Sequence, residues 1–259
     1  MPDAVCLIRE DKPYSQSQFM EGLKALGYNV SVKLTKQPTK EDVLLLWNRN
    51  GIRHEYAKQY EAVNAKVLVA ENGWIGKTRN GGKFYSLSLG WHNGLGQWHC
   101  GEESRFEKLN VSLDPWRKSG EHILVLPSRG IGAPGVGMPR DWPITIAQRL
   151  QKMTKRRIKI RPHPGDKNSD LSGDLFNAHC VVTWGSGAGI KAIAAGVPVF
   201  YELKNWIGKG AAKIFGSDIE NPFLGDRMRM FERLAWASWT ADEIASGLPF
   251  RYLLEMNND

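Results

Sequence analysis

Side chains suited to phosphate binding follow three predicted strands in the second half of the sequence. In chain order these residues are Ser128, Arg129, Arg161, His163 and Ser186. Arginine suits bidentate contacts with phosphate oxygens, and His163, placed between two prolines, has little backbone freedom. Because carboxyl ends of neighbouring parallel strands meet at one edge of a sheet, we expect these residues to lie together. They predict a site for a ligand that carries a diphosphate.

A glycine-rich turn, "GSGAG", separates the run "CVVTW" from the small-residue segment "IKAIAAG". Free backbone N–H groups at a helix N-terminus attract anions, and glycines at 187 and 189 would let a phosphate approach the backbone. The alternative is that these positions are small only for tight packing of a helix on a strand. The turn matches neither a Walker G-x-x-x-x-G-K-[ST] motif nor a G-x-G-x-x-G fingerprint after the first strand.

The elements that must position these residues alternate between strand and helix. In the first half, "AVCLIRE", "VSVKLT", "DVLLLWN" and "KVLVAEN" read as strands, with helical spacing between several of them. Residues 73–104 are rich in glycine and turn signals and are predicted to form a loop. The alternation then restarts, and Thr240 with Glu243 fits a capping box. The pattern predicts an α/β protein of two Rossmann-like domains, residues 1–116 and residues 117–259, the second including the C-terminal helices.

The charge of the chain favours an anionic partner. Its 35 Lys and Arg against 27 Asp and Glu give a net charge of +8, and most of the excess lies beyond residue 115. Six cations fall within residues 152–161. Such a segment is typical of contact with nucleic acid, nucleotides or an acidic surface, although a solvated helix face has the same composition.

The sequence also predicts a cellular setting. Its three cysteines have no C-x-x-C spacing, which indicates reduced thiols. No apolar run reaches the length of a membrane span and no signal peptide is visible at the start. We therefore expect a cytoplasmic monomer of a bacterial or phage-infected cell.

The segment "RPHPG", followed by "VVTWGSGAGIKAIAAGVPVF", resembles the nucleotide-sugar half of GT-B glycosyltransferases. Its "HP" step is similar to that of bacterial capsule polysaccharide transferases. The resemblance implies two Rossmann-like domains facing across a cleft and transfer without a metal ion. It also implies a nucleotide-diphosphate sugar, such as UDP-glucose, as donor and no tightly bound cofactor.

One position departs from the GT-B pattern. Many of these enzymes carry on the helix a glutamate that binds the donor ribose, whereas this chain has Ile190 and Lys191 there. Lys191 is expected to meet a phosphate instead, and Glu202 is expected to take the hydroxyl-binding role.

Inverting transfer to a hydroxyl requires a general base near the acceptor. Glu71, at the end of the strand "KVLVA", is the first candidate, because burial would raise the pKa of its carboxyl group. His92, in "GWHNGLG", is the second and Asp114 the third. The alternative for Glu71 is an acceptor for a loop N–H group. The tryptophans at 91 and 98 would let this segment act as a lid over the acceptor.

The acceptor is predicted from the charge and the resemblance together. Phage enzymes that glycosylate hydroxymethylated pyrimidines in DNA, such as hydroxymethylcytosine, are compact and basic GT-B proteins, similar to this chain. They must extrude the target base. The alternatives are transfer to a capsule, surface glycan or teichoic-type polymer, and a non-catalytic nucleic-acid-binding protein with a relic nucleotide site.

Overall fold

The computed structural model describes residues 1–11, 14–163 and 170–256. Within these residues the strands are β1 Asp3–Leu7, β2 Asn29–Ser31, β3 Val43–Trp47, β4 Lys66–Asn72, β5 Tyr85–Leu89, β6 His122–Leu126, β7 Arg157–Ile160, β8 Ala178–Thr183, β9 Val199–Tyr201, β10 Lys213–Ile214 and β11 Ser238–Trp239. The α-helices described there are α1 Gln16–Ala25, α2 Ile52–Ala62, α3 Trp142–Gln151, α4 Ser172–Leu175, α5 Gly187–Ala194, α6 Arg227–Ala235, α7 Ala241–Ala245 and α8 Leu248–Leu254. The same described residues include 3-10 helices at Glu103–Leu109 and Ile207–Gly210.

The chain divides into two compact units, one formed by Met1–Asn110 with Glu232–Asp259 and the other by Val111–Phe231. The sheet of the first unit has the strand order β11-β5-β4-β3-β1-β2. Strands β1 to β4 run parallel, and β5 and β11 are antiparallel to their neighbours. Every residue of the apolar β3 is buried, as expected of a parallel strand covered on both faces.

Strand β5 corrects the prediction that residues 73–104 form a loop. Tyr85–Leu89 is buried at every residue and pairs along β4, with Leu68 opposite Leu89. Its serines resemble turn signals in the sequence, yet Ser86 and Ser88 are 1% and 3% exposed. Pairing with β4 satisfies the backbone groups of this strand, and the Ser88 hydroxyl donates to the carbonyl oxygen of Trp91 at 2.5 Å.

The C-terminal segment belongs to the first unit, whereas the sequence pattern assigns it to the domain 117–259. The reason is pairing between distant strands: Ser238 lies opposite Ser86, and Trp239 opposite Tyr85. Helix α7 packs on α1, where Gly22 leaves room for the carbonyl of Ile244. The capping box predicted at the start of α7 is confirmed.

The second unit contains a parallel sheet with the strand order β10-β9-β8-β6-β7. Its central strand β8 is buried at every residue. One face of this sheet packs against α3 through Trp142, Ile146 and Leu150. Strand β7 lies at the edge of the sheet, where charged side chains discourage pairing with other chains. No helix in the described part of the chain is long and apolar enough to cross a membrane.

Candidate functional site

The predicted phosphate-binding residues follow three adjacent strands of the second unit. Strand β6 lies between β7 and β8, and all three run parallel. Their carboxyl ends therefore lie side by side at one edge of the sheet. Arg129 and His163 are exposed just beyond β6 and β7, whereas Ser186 is buried beyond β8. Pro164–Asp166, the remainder of the "RPHPGD" motif, lie outside the described residues.

Thr183 connects the end of β6 to the glycine-rich turn. Its hydroxyl donates to the carbonyl oxygen of Leu126 at 2.8 Å and accepts the Ser186 N–H at 3.0 Å. Thr183 is completely buried, so these two hydrogen bonds are sheltered from water. The turn is therefore fixed in position relative to the neighbouring strand before any ligand binds.

Ser186 is the N-cap of α5. Its backbone is extended, and its hydroxyl oxygen accepts the Ala188 N–H at 3.2 Å. The hydroxyl keeps its own proton for donation to a ligand. Among the described residues the N–H of Gly187, the first residue of the helix, has no hydrogen-bond partner. This helix end therefore presents two donors and the positive end of the helix dipole.

The glycines of the turn have a packing role. A Cβ atom at Gly189 would lie 2.8 Å from Cη2 of the buried Trp206, and one at Gly185 would lie 2.7 Å from Cδ2 of Leu203. Neither glycine has a positive φ angle. Both positions must therefore be small, because Leu203 and Trp206 pack directly against them.

Arg161 is held by a carboxylate beside the strand ends. Its Nε atom donates to Oδ2 of Asp174 at 2.5 Å, and Lys159 contacts the other oxygen. Burial alone would raise the pKa of Asp174, but the hydrogen bonds from both cations outweigh it and hold that pKa below its usual range. The guanidinium of Arg161 is thereby oriented beside the strand ends, and a guanidinium is a group suited to phosphate oxygens.

The other predicted binding residues of the second unit are Lys191, Ser128 and Glu202, and each has a different environment. Lys191 is exposed on α5, and the backbone N–H of Ser128 lies 3.3 Å from the sulfur of Met138. The Glu202 carboxylate accepts hydrogen bonds from Trp142 Nε1 and from Arg149, the latter at 2.6 Å. Glu202 therefore links helix α3 to the end of β9, and any hydroxyl it binds must share an oxygen that is already bonded.

Glu71, in the first unit, lies near the carboxyl end of β4. One oxygen of its carboxylate accepts the backbone N–H of Asn93 at 2.6 Å. Burial raises the pKa of Glu71 to about 8, against the opposing effect of this hydrogen bond. A carboxyl group with this pKa exchanges its proton near neutral pH, which is the range required of a general base.

His92 immediately precedes Asn93, whose N–H binds Glu71, but its side chain is enclosed. It is 1% exposed, and its Nδ1 atom accepts the backbone N–H of Arg49 at 3.2 Å. A neutral His92 therefore carries its proton on Nε2. Between the two candidate bases, this geometry favours Glu71.

Sequence reasoning missed Arg49, which organises this part of the first unit. Its guanidinium is almost completely buried and binds both oxygens of Glu61 and the carbonyl oxygen of Gly90. The same group lies 4.2 Å from the centre of the Trp91 ring. The signal that could have revealed it is an arginine two residues after the buried strand "VLLLW". Arg49 fixes the start of the loop that carries Asn93.

Within the described residues no group of three or more His, Cys, Asp or Glu side chains could hold a metal ion. The cysteines described there are all free, with Cys6 and Cys180 buried and Cys100 exposed.

Comparison with known proteins identifies the fold. No protein-family model and no curated protein matches the chain. Among solved structures, the chain is similar to KpsC of Thermosulfurimonas dismutans, a beta Kdo 2,4 transferase. The TM-score is 0.53 at 14% identity, over 92% of this chain and 90% of KpsC. The chain shares the α/β fold of this structure. At this level of identity, the similarity shows the fold alone.

Proposed function

We propose that the protein transfers a sugar from a nucleotide-activated donor to a hydroxyl group of a glycan. The observation that carries this proposal is the alignment of three parallel strand ends with the capped N-terminus of α5. Such an edge offers backbone N–H donors, a helix dipole and oriented cationic side chains to a phosphate. The fold shared with a sugar transferase supports the same conclusion.

Glu71 is the proposed general base, and the donor phosphate is proposed to meet Arg161, His163 and the N-terminus of α5. Charge developing on the leaving phosphate would be stabilised by these preorganised donors, so we propose that transfer needs no divalent cation. Transfer that continues unchanged in the presence of a chelator is the expected result.

A glycan is proposed as acceptor, rather than DNA, because part of the basic segment is already paired. Arg156 forms an ion pair with Glu220 at 2.9 Å and also donates to the carbonyl oxygen of Gly120. Lys159 likewise forms an ion pair with Asp174. No contact among the described residues favours a DNA acceptor, whereas KpsC is named as a sugar transferase.

Nucleotide binding provides the direct test of the donor site. We expect a nucleoside mono- or diphosphate to raise the melting temperature of the wild-type protein, because ligand at 100 times its Kd stabilises the folded state by about 2.7 kcal/mol. Thermal unfolding would be followed with a panel of these nucleotides. We expect Arg161→Ala and His163→Ala each to weaken binding by about 10-fold or more, through the loss of a charge-assisted hydrogen bond.

Arg157→Ala is the matched control, because it removes the same charge from an exposed position on β7. It should bind nucleotide like the wild type. The proposal is contradicted if no nucleotide stabilises the protein, or if Arg157→Ala weakens binding as much as Arg161→Ala does.

A further inference from the structure

A cavity of about 310 Å³ opens in the first unit, at the amino-terminal end of β4. It is lined by the segment joining α2 to β4, by the residues that follow β5, and by Glu61 of α2. Val67 lies at this end of the strand and Glu71 near the other, four residues away. At the rise of a β-strand this separation is about 13 Å. The cavity is therefore distinct from the strand ends where the proposed base lies.

The charged groups that line the cavity already have partners. The Glu61 carboxylate is bound by Arg49, with one N–H···O distance of 2.8 Å. The Lys66 ammonium donates to the carbonyl oxygen of Met256 at 2.6 Å. The Glu61 charge is therefore neutralised by Arg49, and among the described lining residues Lys66 is the sole cation. A highly charged occupant such as a nucleotide needs several cationic donors.

The polar groups that remain for a ligand are neutral. Within the described residues, the side-chain amides of Asn64 and Gln97 and the indole N–H of Trp91 have no hydrogen-bond partner. Their positions are nevertheless defined. Gln97 exchanges two backbone hydrogen bonds with Leu89, at 2.8 and 3.1 Å, and Trp91 packs against the Arg49 guanidinium.

We propose that this cavity binds one sugar residue of a glycan. Amide and indole groups can exchange hydrogen bonds with sugar hydroxyls, and the Trp91 ring supplies an apolar surface for a C–H face of the sugar. The volume suits one residue, because pockets for small ligands begin at about 300 Å³. That the glycan is the acceptor rests on the function proposed above, whereas sugar binding itself does not.

The cavity is connected to the proposed base through a single loop. Residues 90–97 supply Trp91 and Gln97 to the cavity, and the same loop supplies the Asn93 N–H that binds Glu71 at 2.6 Å. A sugar held against Trp91 therefore contacts the segment that positions the carboxylate. The cavity is a distal subsite that would favour an acceptor of several sugar residues over a monosaccharide.

The test is glycan binding by the whole protein, measured on a printed array of bacterial surface oligosaccharides and then by titration of the glycans that bind. We expect Gln97→Ala and Asn64→Gly each to weaken binding by about fivefold, the loss of one hydrogen bond. Glycine suits position 64, because Asn64 has a φ angle of 60°. Trp91→Phe retains a ring and should weaken binding by less than Trp91→Ala does. Gln59→Ala, exposed on α2 and away from the cavity, is the matched control and should bind like the wild type.

Absence of glycan binding by the wild type, or equal binding by Gln97→Ala and the wild type, would overturn the subsite. Nucleotide-induced stabilisation measured on the same samples separates the two proposals. Stabilisation without glycan binding removes the subsite and leaves the transferase proposal intact. Glycan binding at the cavity without any nucleotide-induced stabilisation removes the transferase proposal and leaves the sugar subsite intact.

Discussion

Replacement of Glu71 by Gln is expected to lower turnover by about 10²- to 10⁴-fold, the contribution typical of a general base. The amide oxygen of Gln can still accept the Asn93 N–H, so the loop should keep its position. Donor affinity should be unchanged, because Glu71 is not part of the proposed phosphate site. The measurement is steady-state transfer by the variant together with its nucleotide-induced thermal shift.

The pH dependence of the wild-type transfer rate provides a second test of Glu71 as the base. A base must be deprotonated, and burial raises the pKa of Glu71 to about 8. The wild-type rate should therefore rise with pH up to about 8 and then level off. Glu55→Gln, exposed on α2 and paired with Lys58, is the control and should change neither turnover nor the pH profile. Full activity in Glu71→Gln would assign the base to another residue.

Although Glu71→Gln is expected to lower turnover, it is expected to raise the stability of the folded protein at high pH. The folded-state pKa of Glu71 lies above its ordinary value of 4.5, so the folded protein binds this proton more tightly. The stability contributed by the protonated group is complete below pH 4.5 and declines as the pH rises towards 8. Gln does not titrate, so above pH 8 we expect Glu71→Gln to be more stable than the wild type, by about 1–2 kcal/mol given the partial exposure of the residue. Urea denaturation at both ends of this range measures the difference.

Replacement of Arg105 by Ala is expected to lower the free energy of unfolding of the first unit by about 3–5 kcal/mol, because it leaves a partner carboxylate buried without its counter-charge. Arg105 binds both oxygens of Glu243 and the carbonyl oxygens of Ala235 and Ser238. Its guanidinium also lies 3.8 Å from the centre of the Trp239 ring. The Arg105 side chain is 8% exposed and that of Glu243 is 16% exposed, so water replaces these contacts poorly.

Lys108→Ala provides the control, because Lys108 contacts the same carboxylate with a side chain that is 61% exposed. We expect Lys108→Ala to lower the free energy of unfolding by less than about 1 kcal/mol. Burial alone would raise the pKa of Glu243, but hydrogen bonds, first from Arg105, hold that pKa below its ordinary 4.5. The contribution of the pair is therefore present above pH 4.5 and lost as the pH falls below it. Equal losses of stability from the two substitutions would contradict this account.

The sequence predicts the second unit well because local pattern and tertiary structure agree there. The run "HILVL" is β6, "CVVT" lies in β8, and the small-residue segment after the glycine turn is α5. Short apolar runs separated by glycine and proline indicate parallel strands without any knowledge of distant partners. The predicted neighbourhood of three strand ends follows from this alternation.

The first unit was harder to predict because two of its strands depend on distant partners. The serines of β5 suggest a loop until β4 and β11 are placed on either side of it. Nothing in the C-terminal segment itself indicates that it crosses back to residues 85 and 86. Pairing over such sequence separation leaves no periodic signal.

Individual side-chain roles were harder still. The sequence suggests that Glu202 binds a sugar hydroxyl. It does not reveal that the same carboxylate accepts a hydrogen bond from Arg149, which lies 53 residues earlier. The burial of Arg49 likewise depends on Glu61 and Gly90, which come from different elements. Residue type and spacing located the carboxylate of Glu71, but only the structure shows which N–H group binds it.

The discontinuous first unit has a consequence for how the protein is made. Strand β5 emerges from the ribosome early, while β11, its outer neighbour, lies beyond the whole of Val111–Phe231. At about 5–20 residues per second, translation of that intervening unit takes roughly 6–24 s. During this interval the outer edge of β5 has no native neighbour, and the intervening unit can fold first. A nascent chain stalled before Ser238 should therefore be the species that most needs a chaperone.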